Sequence, residues 1–186
     1  MGKLFYTGKG DKGQSDVAGK KIDKTAPEIE AVGALDEINS LIGLVGTQNI
    51  SERFQKILQE VQQHLFAVQA QIGSAMINAQ PPPFTQEKIA YLESLIDEFE
   101  DAVQPERGFV VAGATKTAAW LDYARTVARR AEVAVLKLNQ KMRQEQKEFA
   151  PTALAYLNRL SSLLYAMARF SAKEENKREQ HPNYET

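Results

Sequence analysis

From Ala26 onward, apolar residues return every three or four positions in five successive segments, and a chain patterned this way buries its hydrophobic surface only as packed helices. The first segment, 27–45, opens on Pro27 and sets Ala31, Leu35, Ile38, Ile42 and Val45 on one face. The second, 51–77, starts from Ser51 as N-cap and carries Phe54, Ile57, Leu58, Val61, Leu65, Val68 and Ile72. Pro81, Pro82 and Pro83 then force an extended connection. The third, 85–102, is capped by Thr85 and turns Ile89, Leu92, Leu95, Ile96 and Phe99 inward. After a loop through Pro105, Gly108 and Gly113, the fourth, 115–147, is long and alanine-rich, with Trp120, Tyr123, Val127, Ala131, Ala134 and Leu138 as its apolar line. The fifth begins near Pro151 and continues past Ala172, with Ala153, Leu157, Leu160, Leu164, Met167 and Ser171 in register. The expected fold is all-α, a five-helix bundle forming a single domain over 1–186. Its parts are a glycine-rich stretch at 1–25, the bundle at 26–172 and a charged tail at 173–186 that is expected to be mobile. One strand-like stretch, 4–7, would pair with a partner or within a short local ribbon.

Composition narrows the function classes. The chain has 186 residues, 43% of them apolar, which is enough for a sizeable core. Its 23 Lys+Arg nearly balance 24 Asp+Glu, so no global basic field draws it to nucleic acid or an anionic membrane, and any anion site must be local. Zero cysteines exclude thiolate nucleophiles and thiolate metal sites, and two histidines are too few for a histidine-built zinc site, so no metal ligands are expected. No apolar run approaches the roughly 20 residues of a membrane span and no signal-peptide pattern precedes the bundle, so the cytoplasm is the expected compartment. His64 reads as a surface or satisfied structural residue, His181 as an idle tail residue, and Trp120 as packing.

Two features exceed what a bundle needs. Residues 8–15 read Gly8-Lys9-Gly10-Asp11-Lys12-Gly13-Gln14-Ser15. They satisfy the dinucleotide pattern G-x-G-x-x-G, but no strand–helix–strand unit surrounds them, and Gln14 stands where a P-loop requires its lysine. The shared physics survives: glycines let backbone N–H groups converge on an anion, while Thr7, Ser15, Lys9, Lys12, Lys20, Lys21 and Lys24 add hydroxyls and charge. Asp11 could hold a divalent cation or order the loop. A flexible glycine-rich segment with solvated lysines is the competing reading.

The second feature lies on the fourth helix. At about 100° per residue, Arg125, Arg129 and Glu132 stack as one ridge nearly opposite the apolar line, with Asp122 beside them. Stacked arginines repel mildly unless an anion lies between them; the alternative is a solvated face balanced by Asp122 and Glu132. Asn158, Ser162, Tyr165 and Arg169 make a comparable stripe on the fifth helix, and Asp36, Asn39 and Gly43 flank the face of the first. Polar stripes on three helices favour self-association over a monomer.

Taken together, the segments resemble the ATP:corrinoid adenosyltransferases of the PduO type. The resemblance rests on Tyr6-Thr7-Gly8-Lys9-Gly10-Asp11-Lys12-Gly13-Gln14-Ser15 with Gly19-Lys20-Lys21-Ile22, on Glu30 to Ser40, on Phe109-Val110-Val111-Ala112-Gly113 leading to Ala124-Arg125-Thr126-Val127-Ala128-Arg129-Arg130-Ala131-Glu132, and on Tyr156-Leu157-Asn158-Arg159-Leu160-Ser161. It implies a homotrimer with ATP bound between subunits by the N-terminal loop and the arginine helix, in which cob(I)alamin attacks C5′ of ATP, adenosylcobalamin forms and triphosphate leaves, with Mg²⁺ sharing the charge. By the same likeness Arg125 pairs with Asp36, Arg129 ligates phosphate, Glu132 orients Arg129, and Asn158 contacts the nucleotide. Phe109 would occupy the lower axial side of the corrin and keep cobalt four-coordinate. A reductase and an adenosylcobalamin-dependent enzyme are implied partners, with no role for nucleic acid or membrane.

The chain departs from the family where Ala112-Gly113-Ala114 stands for Pro-Gly-Gly, where Asp122 stands for a common histidine, and where Ser162 stands for a common aspartate. A corrinoid- or nucleotide-binding regulator or cofactor chaperone on the same fold is the rival reading. A plain helical oligomerisation module is the third.

Overall fold

Each helix of the bundle starts and stops on a recognisable local signal. In the computed structural model, which describes residues 5–6, 8–17, 19–145 and 151–184, α1 (Pro27–Gly46) opens on the proline, with Glu28 and Glu30 against its positive N-terminal dipole. α2 (Glu52–Met76) is capped by Ser51, whose hydroxyl accepts from the Phe54 N–H at 3.2 Å. α3 (Gln86–Val103) ends where Gln104 turns left-handed, at φ 50°. Its expected cap is absent: the Thr85 hydroxyl donates to Glu87 at 3.0 Å instead of accepting from the backbone. α4 (Lys116–Gln144) is capped by Thr115, which accepts from the Ala118 N–H at 3.1 Å. α5 (Pro151–Glu174) again opens on proline. The expected strand residues Leu4 and Thr7 lie outside the described residues, while Phe5 and Tyr6 are exposed and form no strand.

A strand pair does exist, later in the chain than expected. β1 (Gln14–Val17) and β2 (Lys20–Asp23) form an antiparallel hairpin in which Ser15 faces Ile22 and Val17 faces Lys20, and Gly19 takes φ 86° at the turn. Gln14, Ser15 and Lys20 are therefore strand residues, not loop residues. The hairpin escaped the periodicity reading because only Ser15, Val17 and Ile22 are partly covered, too short an alternation to register.

α4 packs against both α1 and α5, α5 also against α3, and α1 against α2. On α1, the expected face of Ala31, Leu35, Ile38, Ile42 and Val45 is fully buried. On α4 the expected face holds at Val127, Ala131, Ala134 and Leu138, which are buried, and at Trp120, which is half-buried against the core, but not at Tyr123, which is 50% exposed. Ala118, Leu121, Asp122, Ala124 and Ala128 also go inward, so the buried face is wider than expected and takes Asp122 inside with it.

The tail also differs from expectation. After α5, Asn176 takes φ 52°, and the Lys177 N–H returns to the Ala172 carbonyl at 2.9 Å, a left-handed cap that reverses the chain. Residues 177–181 then run back to the loop before α4, where Val111 pairs with Gln180.

His64 sits inside an aromatic cluster with Phe84, Tyr91 and Tyr156. Its Nδ1 is 3.1 Å from the Tyr156 hydroxyl and its Nε2 is 3.2 Å from Glu60. Burial pushes the Tyr156 hydroxyl well above its usual range, so it stays protonated and donates to Nδ1, which assigns the neutral Nε2–H tautomer to the ring. Burial above all, with the Lys88 charge adding, holds His64 below its ordinary pKa. The unfolded chain thus takes up this proton first as pH falls below about 6.5, so the stabilising contribution is complete above that value and is lost toward lower pH. Urea midpoints should decline between neutral and mildly acidic pH in the natural chain, and His64→Gln should flatten that decline; an unchanged slope would remove His64 as its source.

Candidate active site

The loop joining α3 to α4 is shaped by a left-handed glycine at each end, Gly108 at φ 133° and Gly113 at φ 106°. Between them Phe109 stands 77% exposed. It overhangs a cleft of about 610 Å³ between α3, α4 and α5, lined by Phe99, Phe109, Arg125, Arg129, Tyr165 and Arg169 among others. Its lining combines apolar and aromatic side chains with arginines, which suits a largely apolar ligand bound beside an anion.

The cations differ in state. Arg169 is 3% exposed and faces two carboxylates: Nη2 donates to Asp122 Oδ2 at 2.5 Å, and Nε lies 2.9 Å from Glu179 Oε1 as an ion pair without hydrogen-bond alignment, while Nη1 has no hydrogen-bond partner among the described residues. Its guanidinium also lies over the Tyr165 ring at 4.7 Å. Arg125 is less committed. Its Nε is 4.0 Å from Asp122 Oδ1 and makes no hydrogen bond among the described residues, while its guanidinium is 5.8 Å from the Tyr165 ring. Arg129 is exposed and has no carboxylate partner among the described residues, although its neighbour Arg130 is neutralised by Glu37 at 2.6 Å. Asp122 is thus not part of a solvated face, as the sequence suggested, but a buried carboxylate facing two guanidinium groups.

Glu132 and Asn158 do meet, across α4 and α5: Asn158 Nδ2 donates to Glu132 Oε1 at 3.0 Å. Glu132 therefore engages Asn158 and not Arg129 within one chain. Asp36 is exposed on α1 and does not pair with Arg125 within the chain. Asn158 is fixed further by Arg159, which donates from Nη1 to Asn158 Oδ1 at 2.8 Å and from Nε to Glu93 at 2.8 Å.

The glycine segment is built as tight turns. Asp11 N–H returns to the Gly8 carbonyl and Gly13 N–H to the Gly10 carbonyl, with Gly8 and Gly13 at φ 68° and 79°. A Cβ at Gly10 would meet Lys24 Nζ at 3.0 Å, so the glycine lets that ammonium lie against the backbone. Lys9 is 3.8 Å from Asp16. Lys20 is spent differently, donating from Nζ to the Met76 carbonyl at the end of α2 at 2.8 Å, which fastens the hairpin to the bundle. Lys20 also lines a second cleft with Ile22, Glu28, Met76, Leu138 and Lys141, beside the C-terminal half of α4. From Lys141 to Arg125 is sixteen residues of one helix, about 24 Å along its axis, so the hairpin that follows the glycine segment is anchored well away from the arginines. Thr7 lies outside the described residues.

Sequence reasoning missed the buried role of Asp122 and the whole contribution of the tail, where Glu179 reaches Arg169 and His181 reaches the cleft loop. The available signal was a lone Arg169 set among Met167, Ala168 and Phe170, a cation in an apolar run that demands a buried partner.

A family model described as cobalamin adenosyltransferase matches residues 5–171. The corrinoid adenosyltransferase PduO of Salmonella typhimurium is 36% identical over 170 residues, covering 89% of this chain and 48% of that protein. The corrinoid adenosyltransferase of Bacillus subtilis is 34% identical over 169 residues, covering 89% and 84%. The chain thus spans about half the length of the first relative and most of the second. Among solved structures, a variant PduO-type ATP:corrinoid adenosyltransferase from Lactobacillus reuteri, complexed with cobalamin and ATP, superposes with a TM-score of 0.86 at 27% identity, over 97% of both chains. With sequence match, fold and cleft in agreement, the chain belongs to the cobalamin adenosyltransferase family.

Proposed function

We propose that the chain transfers the 5′-deoxyadenosyl group of ATP to cob(I)alamin, giving adenosylcobalamin and triphosphate, as a homotrimer with its sites between subunits. The observation that carries this reading is the split of the site. Phe109, Arg125 and Arg129 share one cleft, while the hairpin that follows the glycine segment packs beside Lys141, about 24 Å from Arg125 along α4, which supports a second copy of the chain supplying the nucleotide loop. The relatives named as corrinoid adenosyltransferases, and the neighbour complexed with cobalamin and ATP, support the same substrates.

In the reaction the nucleophilic Co(I) of the substrate forms a bond to C5′ as the C5′–O bond breaks, and the electron pair leaves on triphosphate. Arg129, unpaired within the chain, and Arg125, half-committed, meet the charge that grows on the leaving group. Lys9, Lys24 and the N–H groups of 8–15 would cradle the phosphates from the neighbouring copy, with Gln14 and Ser15 at the start of β1 on the edge of that cradle. Asp36, exposed and unpaired within one chain, would meet Arg125 across the same interface. Phe109 would cover the lower corrin face and exclude water and axial ligands from cobalt. Among the described residues no group of three carboxylates or histidines converges, so Mg²⁺ fits as an ion that arrives on the triphosphate, keeps most of its waters and takes at most a single carboxylate such as Asp11. No described helix is long and apolar enough to cross a membrane, and the proposed setting is the cytoplasm, with a reductase supplying electrons and an adenosylcobalamin-dependent enzyme taking the product.

Chemically reduced cobalamin with ATP and Mg²⁺ under anaerobic conditions should show the absorbance change to adenosylcobalamin, and triphosphate should be the only phosphate product. Binding of both ligands without that change would support a carrier or regulator instead. Arg129→Ala should lower kcat by about 10²–10³ while sedimentation still reports a trimer. A monomeric Arg129→Ala protein would instead make the arginine an assembly residue. Arg129→Ala and Gly13→Val chains, each inactive alone, should regain about a quarter of natural activity when refolded together, because mixed interfaces pair an intact loop with an intact arginine. No recovery would place both elements in one subunit's site.

A further inference from the structure

The strap formed by residues 177–181 touches the cleft loop through polar contacts that are weak when taken singly. The Val111 N–H donates to the Gln180 carbonyl at 2.7 Å, His181 Nδ1 lies 2.9 Å from the Phe109 carbonyl, and His181 Nε2 lies 3.8 Å from the exposed Glu106. All three are open to water, and no apolar side chain of the strap is buried. Such contacts exchange readily with solvent and do not hold a segment in place.

One contact of the strap is different. Glu179 reaches under the surface to Arg169, which is 3% exposed and whose other arm holds Asp122, itself 4% exposed. A buried guanidinium facing two carboxylates is hard to pull apart, because withdrawing either partner leaves charge uncompensated away from water. The pairing also decides what Arg169 can do: with two carboxylates engaged it carries no spare positive charge for a triphosphate, unlike Arg125 and Arg129 beside it.

We propose that Asp122, Arg169 and Glu179 form a buried ionic latch that fastens the C-terminal strap, and through it the loop carrying Phe109, over the cleft. Arg169 and Glu179 are then positioning residues for the corrinoid, acting through Gln180 and His181 on the backbone at Val111 and Phe109. The inference rests on the reading of this cleft as the corrinoid site, but the latch itself can be tested without turnover.

In the full-length protein, Glu179→Gln should speed hydrogen exchange at the Val111 amide by at least about 10-fold, with bundle amides unaffected. His181→Ala should speed the same amide less, since it removes only a solvent-exposed contact. Unchanged Val111 protection in Glu179→Gln, or an effect confined to His181→Ala, would overturn the latch. In the adenosylation assay, Glu179→Gln should raise the KM for cob(I)alamin several-fold and leave the KM for ATP unchanged. Faster exchange with an unaltered corrinoid KM would overturn the positioning role, and an equal rise in both KM values would make the effect a general loss of structure. Absence of turnover in the natural chain would sink the functional reading alone, because the exchange measurement stands independently of it.

Discussion

Ala118, Ala124, Ala128, Ala131 and Ala134 are buried together with Leu121, Val127, Val135 and Leu138 along α4, which packs against α1 and α5. Interdigitated packing of this kind admits little rotation, because the interior is packed nearly as densely as a crystal. Once α4 is fixed in that phase, Asp122 is turned inward among apolar neighbours and must find a cation, which α5 supplies as Arg169. Arg125, three residues further on, emerges at the edge of the same interface, and Arg129 one turn later stands in solvent. The arginines of the cleft thus take their places from the phase in which α4 is packed.

The charge balance of the chain takes on meaning in this setting. Several cations on the bundle surface are matched across helices: Arg53 with Glu98, Lys141 with Glu28, Arg159 with Glu93, and Arg130 with Glu37. Exposed pairs of this sort add little stability, but they cancel the field of each cation within a few ångströms. Arg129, without a carboxylate partner among the described residues, and the half-matched Arg125 can meet an anion without any net positive charge on the protein.

Much of the helical frame could be read from the chain because its signals are local. Pro27, Ser51, Thr115 and Pro151 each act on the turn that follows them, and the apolar period fixes the faces of α1, α2 and α3. What escaped reading depends on partners far away in sequence. The hairpin at Gln14–Val17 and Lys20–Asp23 buries too little surface to leave a pattern, and Lys20 is tied to Met76, fifty-six residues on. On α4 the expected line holds at Val127, Ala131, Ala134 and Leu138 and fails at Tyr123, because an aromatic ring outweighs Ala118, Ala124 and Ala128 in any hydrophobic count although those alanines are the buried ones. Of the site, Phe109, Arg125 and Arg129 were legible from the ridge and the family pattern. Glu179 and His181 were not, since a charged tail gives no sign of folding back.

The buried pair of Asp122 and Arg169 also constrains how relatives of this chain diverge. Neither position can drift alone, because each single replacement strands the opposite charge between two helices, whereas paired replacement by apolar residues of similar volume is tolerated. The two positions, forty-seven residues apart in the chain, are thus coupled by charge across α4 and α5. A histidine in place of Asp122 would take away the carboxylate that Arg169 faces from α4, and Ser162, which lines the same cleft, offers a hydroxyl and no charge in its stead.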